Sequence, residues 1–268
     1  MIKPICPVCG LPLSEDEHAW RCDNRHSFDI ARQGYVNLLT VDKKHSLHPG
    51  DTREMVAARK AFLDAGFYRP IADKVCALLK EASPQCILDA GCGEGYYLSQ
   101  VEEAFPHSDL WGIDISKDAV RYAAVRNKNV HWLTATAAAL PFADGSFEAV
   151  LSMFALTAAD EYARVLKKGG LFLQVLAGEE HLMGLKSIIY PQIIRKEKQQ
   201  EQTLCGFTLE KHEILEFSFS LDNGEQVRNL LSMTPHFWRI SKEGAERLEN
   251  TSRLDDTAQV VFNLYRKI

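Results

Sequence analysis

No run of eighteen apolar residues occurs in the 268-residue chain, which excludes a sequence-evident membrane-spanning helix. The opening residues Met1-Ile2-Lys3-Pro4-Ile5-Cys6 lack the apolar core of a secretory signal, so a cytoplasmic location and no membrane partner are expected. An even cysteine count is also missing. Seven cysteines in a reducing compartment argue for a metal site plus buried thiols rather than a disulfide framework. Nor is there an excess of positive charge: the net value of −5 disfavours a wholesale polyanion binder. The charge is uneven, however. From Lys43 to Lys80 there are eight Lys/Arg against four Asp/Glu, a local balance of +4, which suits either a phosphate footprint or a solvated helix face.

Three regions separate by pattern. Residues 1–36 are rich in Cys, His, Pro and Gly, with little periodicity, and form a module too small to build its own core. Residues 37–70 read as a helical bridge, with Asp51 as N-cap, Glu54 as its reciprocal partner and Gly66 as the stop; a second helix is expected over 71–81. From residue 71 to 268 short apolar runs alternate with helical or loop segments. The runs at 86–90, 110–113, 130–133, 149–153 and 171–176 predict parallel βαβ units in a doubly wound α/β sheet. Beyond Gly206, strands are expected at 207–209, 217–221 and 258–265, with a helix at 225–233. A polar run covers Arg195 to Gln202.

Ile87-Leu88-Asp89-Ala90-Gly91-Cys92-Gly93-Glu94-Gly95 places a strand end directly before three alternating glycines. Such a turn lets the backbone approach a ligand closely and aims the next helix's N-terminus into the same crevice. A dinucleotide fingerprint would space its glycines G-x-G-x-x-G; here the third comes one residue early and Asp89 ends the strand. That favours S-adenosylmethionine, whose carboxylate needs backbone donors and whose ammonium needs an acceptor. Asp114 closes the next strand, 25 residues after Asp89, where an acid can accept both ribose hydroxyls. With Leu140-Pro141-Phe142 and the strand after it, the set resembles the class I, Rossmann-like methyltransferases. Ala135-Thr136-Ala137 offers no acid for the adenine amino group, so backbone or other side chains must hold it.

Cys6-Pro7-Val8-Cys9, then Cys22 after twelve residues and His26 after three more, can close a tetrahedron around a structural zinc ion, with His18 a less well spaced competitor. Arg21, Arg25 and Arg32 would face a partner, while Trp20, Phe28 and Tyr35 suit a small core or base stacking.

The order of this module, Phe28-Asp29-x-Ala31-x-x-Gly34-Tyr35-Val36-Asn37-Leu38-Leu39, Pro49-Gly50-Asp51, Phe62-Leu63-Asp64-Ala65-Gly66, the glycine loop through Tyr97, His181-Leu182-Met183 and Met233-Thr234-Pro235 resembles the RlmA-type methyltransferases over nearly the whole chain. The resemblance implies methylation of guanine N1 in a hairpin loop of 23S ribosomal RNA, a zinc module assisting RNA recognition, and a homodimer. It also implies cofactor contacts at Tyr68, at Glu94-Gly95 and at His181 beside Asp89, Gly91, Gly93 and Asp114. Removing the N1 proton calls for a base, for which Asp51, Glu94, Asp160 and His181 are candidates. Two other readings compete: a small-molecule methyltransferase of the quinone-biosynthesis type, and a non-catalytic ribosome-associated RNA-binding protein that keeps the fold.

Overall fold

The computed structural model describes residues 2–43, 49–193 and 203–268. The polar run from Arg195 to Gln202 and residue Lys44 of the basic segment lie outside the described residues.

The chain begins with three short strands, β1 (Ser14–Glu15), β2 (Ala19–Arg21) and β3 (Ser27–Asp29), which pair as a small antiparallel sheet. The next strand, β4 (Tyr35–Asn37), leaves that sheet and pairs in parallel with β7 (His131–Thr134). Residue 36 is therefore no break in packing: the end of the small module is the edge strand of the large sheet.

Helices α1 (Arg53–Asp64) and α2 (Arg69–Lys80) follow. The expected cap shifts by one residue, because Thr52 Oγ1 accepts from Met55 N–H at 3.4 Å while Asp51 pairs with Arg59. Gly66 ends α1 at φ +85°. Of the segment's eight cations, Arg59, Lys60 and Arg69 are ion-paired to carboxylates of the segment itself and Lys74 to Glu213 outside it, so half of its positive charge is locally neutralised.

Then come β5 (Cys86–Ala90), α3 (Tyr96–Ala104), β6 (Asp109–Asp114), α4 (Lys117–Arg126), β7, β8 (Phe147–Met153), α5 (Ala159–Val165) and β9 (Leu166–Ala177). Past them run α6 (Met183–Ile189), β10 (Phe207–Leu221), α7 (Gly224–Ser232), α8 (Lys242–Glu249) and β11 (Leu254–Lys267). The large sheet has the order β10-β11-β9-β8-β5-β6-β7-β4, in which β11 alone runs antiparallel to the others. The expected strands at 207–209 and 217–221 are the two ends of one fifteen-residue edge strand. Its middle, Glu210 to Glu216, is charged because alternate residues face water, which breaks the apolar run without breaking the strand. α6 and α8 carry too short an apolar stripe to announce themselves in the sequence.

Side chains alternate between the sheet's two faces. Ile87, Leu110, Trp132 and Leu151 enter one core with α1 to α4 and α6 to α8; Leu88, Trp111, Leu133 and Val150 enter the other. Cys6, Leu13, Trp20 and Cys22 belong to that second core, and the Trp20 and Trp111 rings lie 6.0 Å apart. The module thus borrows the hydrophobic interior it could not build alone. Strand order reverses at β5, flanked by β6 and β8, so the crevice for a ligand opens at its carboxyl end.

Candidate active site and zinc centre

The four sequence-selected ligands converge. Cys6 and Cys9 sit on one tight knuckle, Cys22 and His26 on the β2–β3 turn, and all four ligand atoms lie within 4.8 Å of one another. Zinc bonds of about 2.3 Å to sulfur and about 2.0 Å to nitrogen set tetrahedral edges of roughly 3.8 Å (S–S) and roughly 3.5 Å (S–N). Cys9 Sγ and Cys22 Sγ are 3.6 Å apart, and His26 Nδ1 lies 3.5 Å from Cys6 Sγ and 3.4 Å from Cys22 Sγ. The cluster fits the ion with no vertex left for water, and His18 is outside it. The Leu11 backbone N–H and the neighbouring ligands lower the Cys9 thiol to about 6, whereas burial raises that of Cys6.

At the carboxyl end of β5 a cavity of about 1270 Å³ opens. That is larger than the roughly 300–1,000 Å³ of a single-ligand cleft, leaving room for a cofactor and a base together. Gly91, Gly93, Glu94, Asp114, Tyr68 and His181 line it, as do Gly50 and Asp51 from the loop before α1. Asp89 and Gly95 are not on that wall. Asp89 is buried directly behind it, with neither carboxylate oxygen hydrogen-bonded. Burial first, then the charges of Asp114 and Glu94, push Asp89 up to about 8. Gly95 caps α3 at φ +82°, and a Cβ there would stand 2.7 Å from Trp132 and 2.8 Å from Ala123, so its requirement is close packing of α3 on α4.

Asp114 is held from two sides: Gly93 N–H donates to Oδ2 at 2.9 Å and Ser116 N–H to Oδ1 at 2.7 Å. Each oxygen keeps a further lone pair toward the cavity. The loop before α1 is clamped to the same turn, Ser116 Oγ–H donating to the Asp51 carbonyl at 2.8 Å. Glu94 is buried and receives Arg126 Nη2 at 3.4 Å, while the Arg126 Nε–H donates to the Glu94 carbonyl at 3.1 Å. Desolvation raises the Glu94 carboxyl, with Arg126 and Arg59 pulling it back.

Three side chains on the cavity wall escaped the sequence reading. Arg59, from α1, ion-pairs with Asp51 at 2.5 Å, and its Nη1 lies 3.6 Å from where a Gly93 Cβ would be. Phe154, one residue past β8, faces the cavity at φ +53°. Trp238 lies on the rim, two thirds exposed. Only Arg59 had any signal, as a member of the basic segment. Ala135 to Ala138 also line the wall, so backbone and Thr136 face the position expected for adenine. Of the candidate bases, Asp51, Glu94 and His181 line the cavity and Asp160 is exposed outside it.

The donor set suits S-adenosylmethionine. A net cationic ligand meets an acidic wall, an arginine stands over the glycine loop for its carboxylate, and the buried Asp89 carboxyl lacks a partner. Fold and site together define a class I, S-adenosylmethionine-dependent methyltransferase carrying a structural zinc ribbon.

Comparison with known proteins narrows this. Residues 5–47 match the zinc-ribbon family described as RlmA, N-terminal, and residues 87–170 match the family described as methyltransferase domain. A 23S rRNA (guanine(748)-N(1))-methyltransferase from Streptomyces fradiae is 33% identical, covering 98% of this chain and 96% of that protein. A Bacillus subtilis protein, provisionally named a 23S rRNA (guanine-N(1)-)-methyltransferase, is 30% identical over 95% of this chain and 94% of its own. Haemonchus contortus phosphoethanolamine N-methyltransferase 2 shares the fold, with TM-score 0.50 and 19% identity over 81% of this chain and 57% of that one. The chain belongs to the RlmA methyltransferase family.

Proposed function

We propose that this chain transfers a methyl group from S-adenosylmethionine to N1 of a guanine in a hairpin loop of 23S ribosomal RNA. The observation that carries the reading is the near full-length match to the Streptomyces fradiae enzyme, zinc module included. In this reading residues 1–36 recognise RNA, 37–70 form a bridge that also lends Asp51 and Arg59 to the site, and 71–268 carry out transfer. Exposed Arg21, Arg25 and Arg32 support the first assignment. The cytoplasmic location and homodimer rest on the family resemblance; among the described residues no helix is long and apolar enough to cross a membrane.

S-adenosylmethionine supplies a sulfonium methyl that is already activated, so the protein's task is orientation. Asp114 takes the ribose hydroxyls, Arg59 stands opposite the methionyl carboxylate, and Asp89 supplies negative charge toward the ammonium. Gly91, Gly93 and Glu94 form the turn beneath, and Tyr68 with His181 closes the wall. Guanine N1 must shed its proton while charge moves to O6. His181 Nδ1 lies 3.0 Å from the Gln259 carbonyl, which can only accept, so the ring proton sits there and Nε2 faces the Tyr68 hydroxyl. That engagement leaves Asp51 and Glu94 as the candidate bases on the wall, Asp114 being committed to the ribose. The test is transfer of labelled methyl from S-adenosylmethionine to protein-free 23S rRNA, run beside quinone precursors; label only in the latter overturns the RNA reading.

A further inference from the structure

We propose that Phe154 and Trp238 form an aromatic subsite that takes the target guanine out of its loop, Phe154 as the stacking face and Trp238 on the rim. The inference rests on the RNA reading above and names how that site holds its substrate.

Three observations converge on Phe154. Its backbone is left-handed at φ +53°, a conformation an aromatic residue adopts only when the surroundings impose it. The surroundings do: the Phe154 N–H donates to the Val175 carbonyl at 2.9 Å, extending the β8–β9 ladder one step while the chain turns away. The kink leaves the ring two fifths exposed at the carboxyl end of β8, across the strand-order reversal from the glycine loop. Tyr97, His181 and Tyr68 pack around it, with ring centroids 6.4, 6.2 and 6.5 Å away, so the ring is held in place while part of the residue stays accessible from the cavity. A flat apolar face with a fixed tilt stacks a purine; a core phenylalanine would have been buried.

Trp238 lines the same cavity from the turn after α7, and its ring meets Phe237 edge-on at 5.1 Å. The chain's other three tryptophans, Trp20, Trp111 and Trp132, are buried. Two exposed aromatic faces on one cavity are what a base drawn out of a loop requires, because stacking replaces the neighbours it leaves. Base-on-aromatic stacking changes affinity by roughly 5- to 150-fold per ring.

The test uses the full-length zinc-loaded protein, with Phe154→Leu, Phe154→Tyr and Trp238→Phe variants. Leucine keeps the backbone strain and the apolar volume but removes the ring. Expected for Phe154→Leu is a roughly 5- to 150-fold loss of methyl transfer to 23S rRNA at saturating cofactor, with S-adenosylhomocysteine affinity within about threefold of wild type, and recovery in Phe154→Tyr. Trp238, the exposed indole, should be quenched by added 23S rRNA, and Trp238→Phe should abolish that response. Unchanged transfer in Phe154→Leu, an equal loss of cofactor binding, or quenching that persists in Trp238→Phe overturns the subsite while leaving the RNA activity standing. A wild-type protein that fails to methylate RNA overturns both, and is told apart by that control.

Discussion

The Tyr68 hydroxyl and His181 Nε2 meet at 3.3 Å, joining the start of α2 to the loop after β9 on the buried wall of the cavity. Burial pushes the Tyr68 phenol far up, so it remains a donor throughout the working pH range. Tyr68→Phe removes the hydroxyl and keeps the ring that packs edge-on against Phe62 at 5.0 Å. It should weaken S-adenosylhomocysteine by about 3- to 10-fold by releasing the His181 ring, and lower Tm by roughly 1–6 °C, the net worth of about one buried hydrogen bond. Isothermal calorimetry reads the first and a thermal melt the second.

Asp89 makes cofactor binding pH-dependent. Its folded pKa of about 8 stands above the ordinary 3.8, so its contribution to stability is complete below about pH 3.8 and is lost as pH rises through about 8. Asp89→Asn, which mimics the protonated acid, should therefore gain on wild-type apoprotein from pH 5 to 8 and level off above. A cationic cofactor favours the ionised form. Affinity for S-adenosylmethionine should rise up to about pH 8 and binding near pH 7 should release a proton, seen as a buffer-dependent enthalpy that Asp89→Asn removes.

Arg59→Met should lower cofactor affinity by about 10- to 100-fold, since a charged hydrogen bond contributes about 1.5–3 kcal/mol and Asp51 and Glu94 would lose a counter-charge. Arg59→Lys should recover part of it. Equal affinity in all three proteins, by calorimetry, would remove Arg59 from the site.

Gly50 allows the loop before α1 to lie on the β6–α4 turn: its φ is +83° and a Cβ would fall 2.9 Å from Ser116 Cβ and 3.0 Å from Ser116 N. Gly50→Ala should cost about 1–3 kcal/mol in a denaturant titration and displace Asp51, lowering methyl transfer as well.

The zinc ligands should matter beyond their own module, because Cys6 and Cys22 share a core with Trp111 and Phe142. Cys9→Ser should drop bound zinc from one ion per chain and lower Tm by roughly 6–12 °C, equivalent to about 3 kcal/mol in a domain of this size. Tm unchanged after zinc loss would mean that packing alone holds the module.

Much of this was legible in the residues because it is local. The Cys-x-x-Cys knuckle, the glycine loop and the two strand-end acids each lie within a few residues of chain, and Asp114 does sit on the cavity wall beside Gly93. What was hidden depends on distance. Arg59 earns no notice until α1 is laid beside the glycine loop. Phe154 looks like one more apolar residue after β8, and its left-handed backbone is imposed by β9. Gly95 reads as part of a ligand loop, yet the side chains that forbid a Cβ there come from α4 and β7. The boundary at residue 36 followed a change of composition, whereas β4 carries the chain across it into the large sheet.

The most direct measurement is the mass and position of methyl groups on 23S rRNA after incubation with the purified protein and S-adenosylmethionine. One methyl per RNA is expected, on a hairpin-loop guanine, blocking reverse transcription at that nucleotide because N1 lies on the pairing edge. RNA left unmethylated while a quinone precursor accepts the methyl under the same conditions would contradict the account.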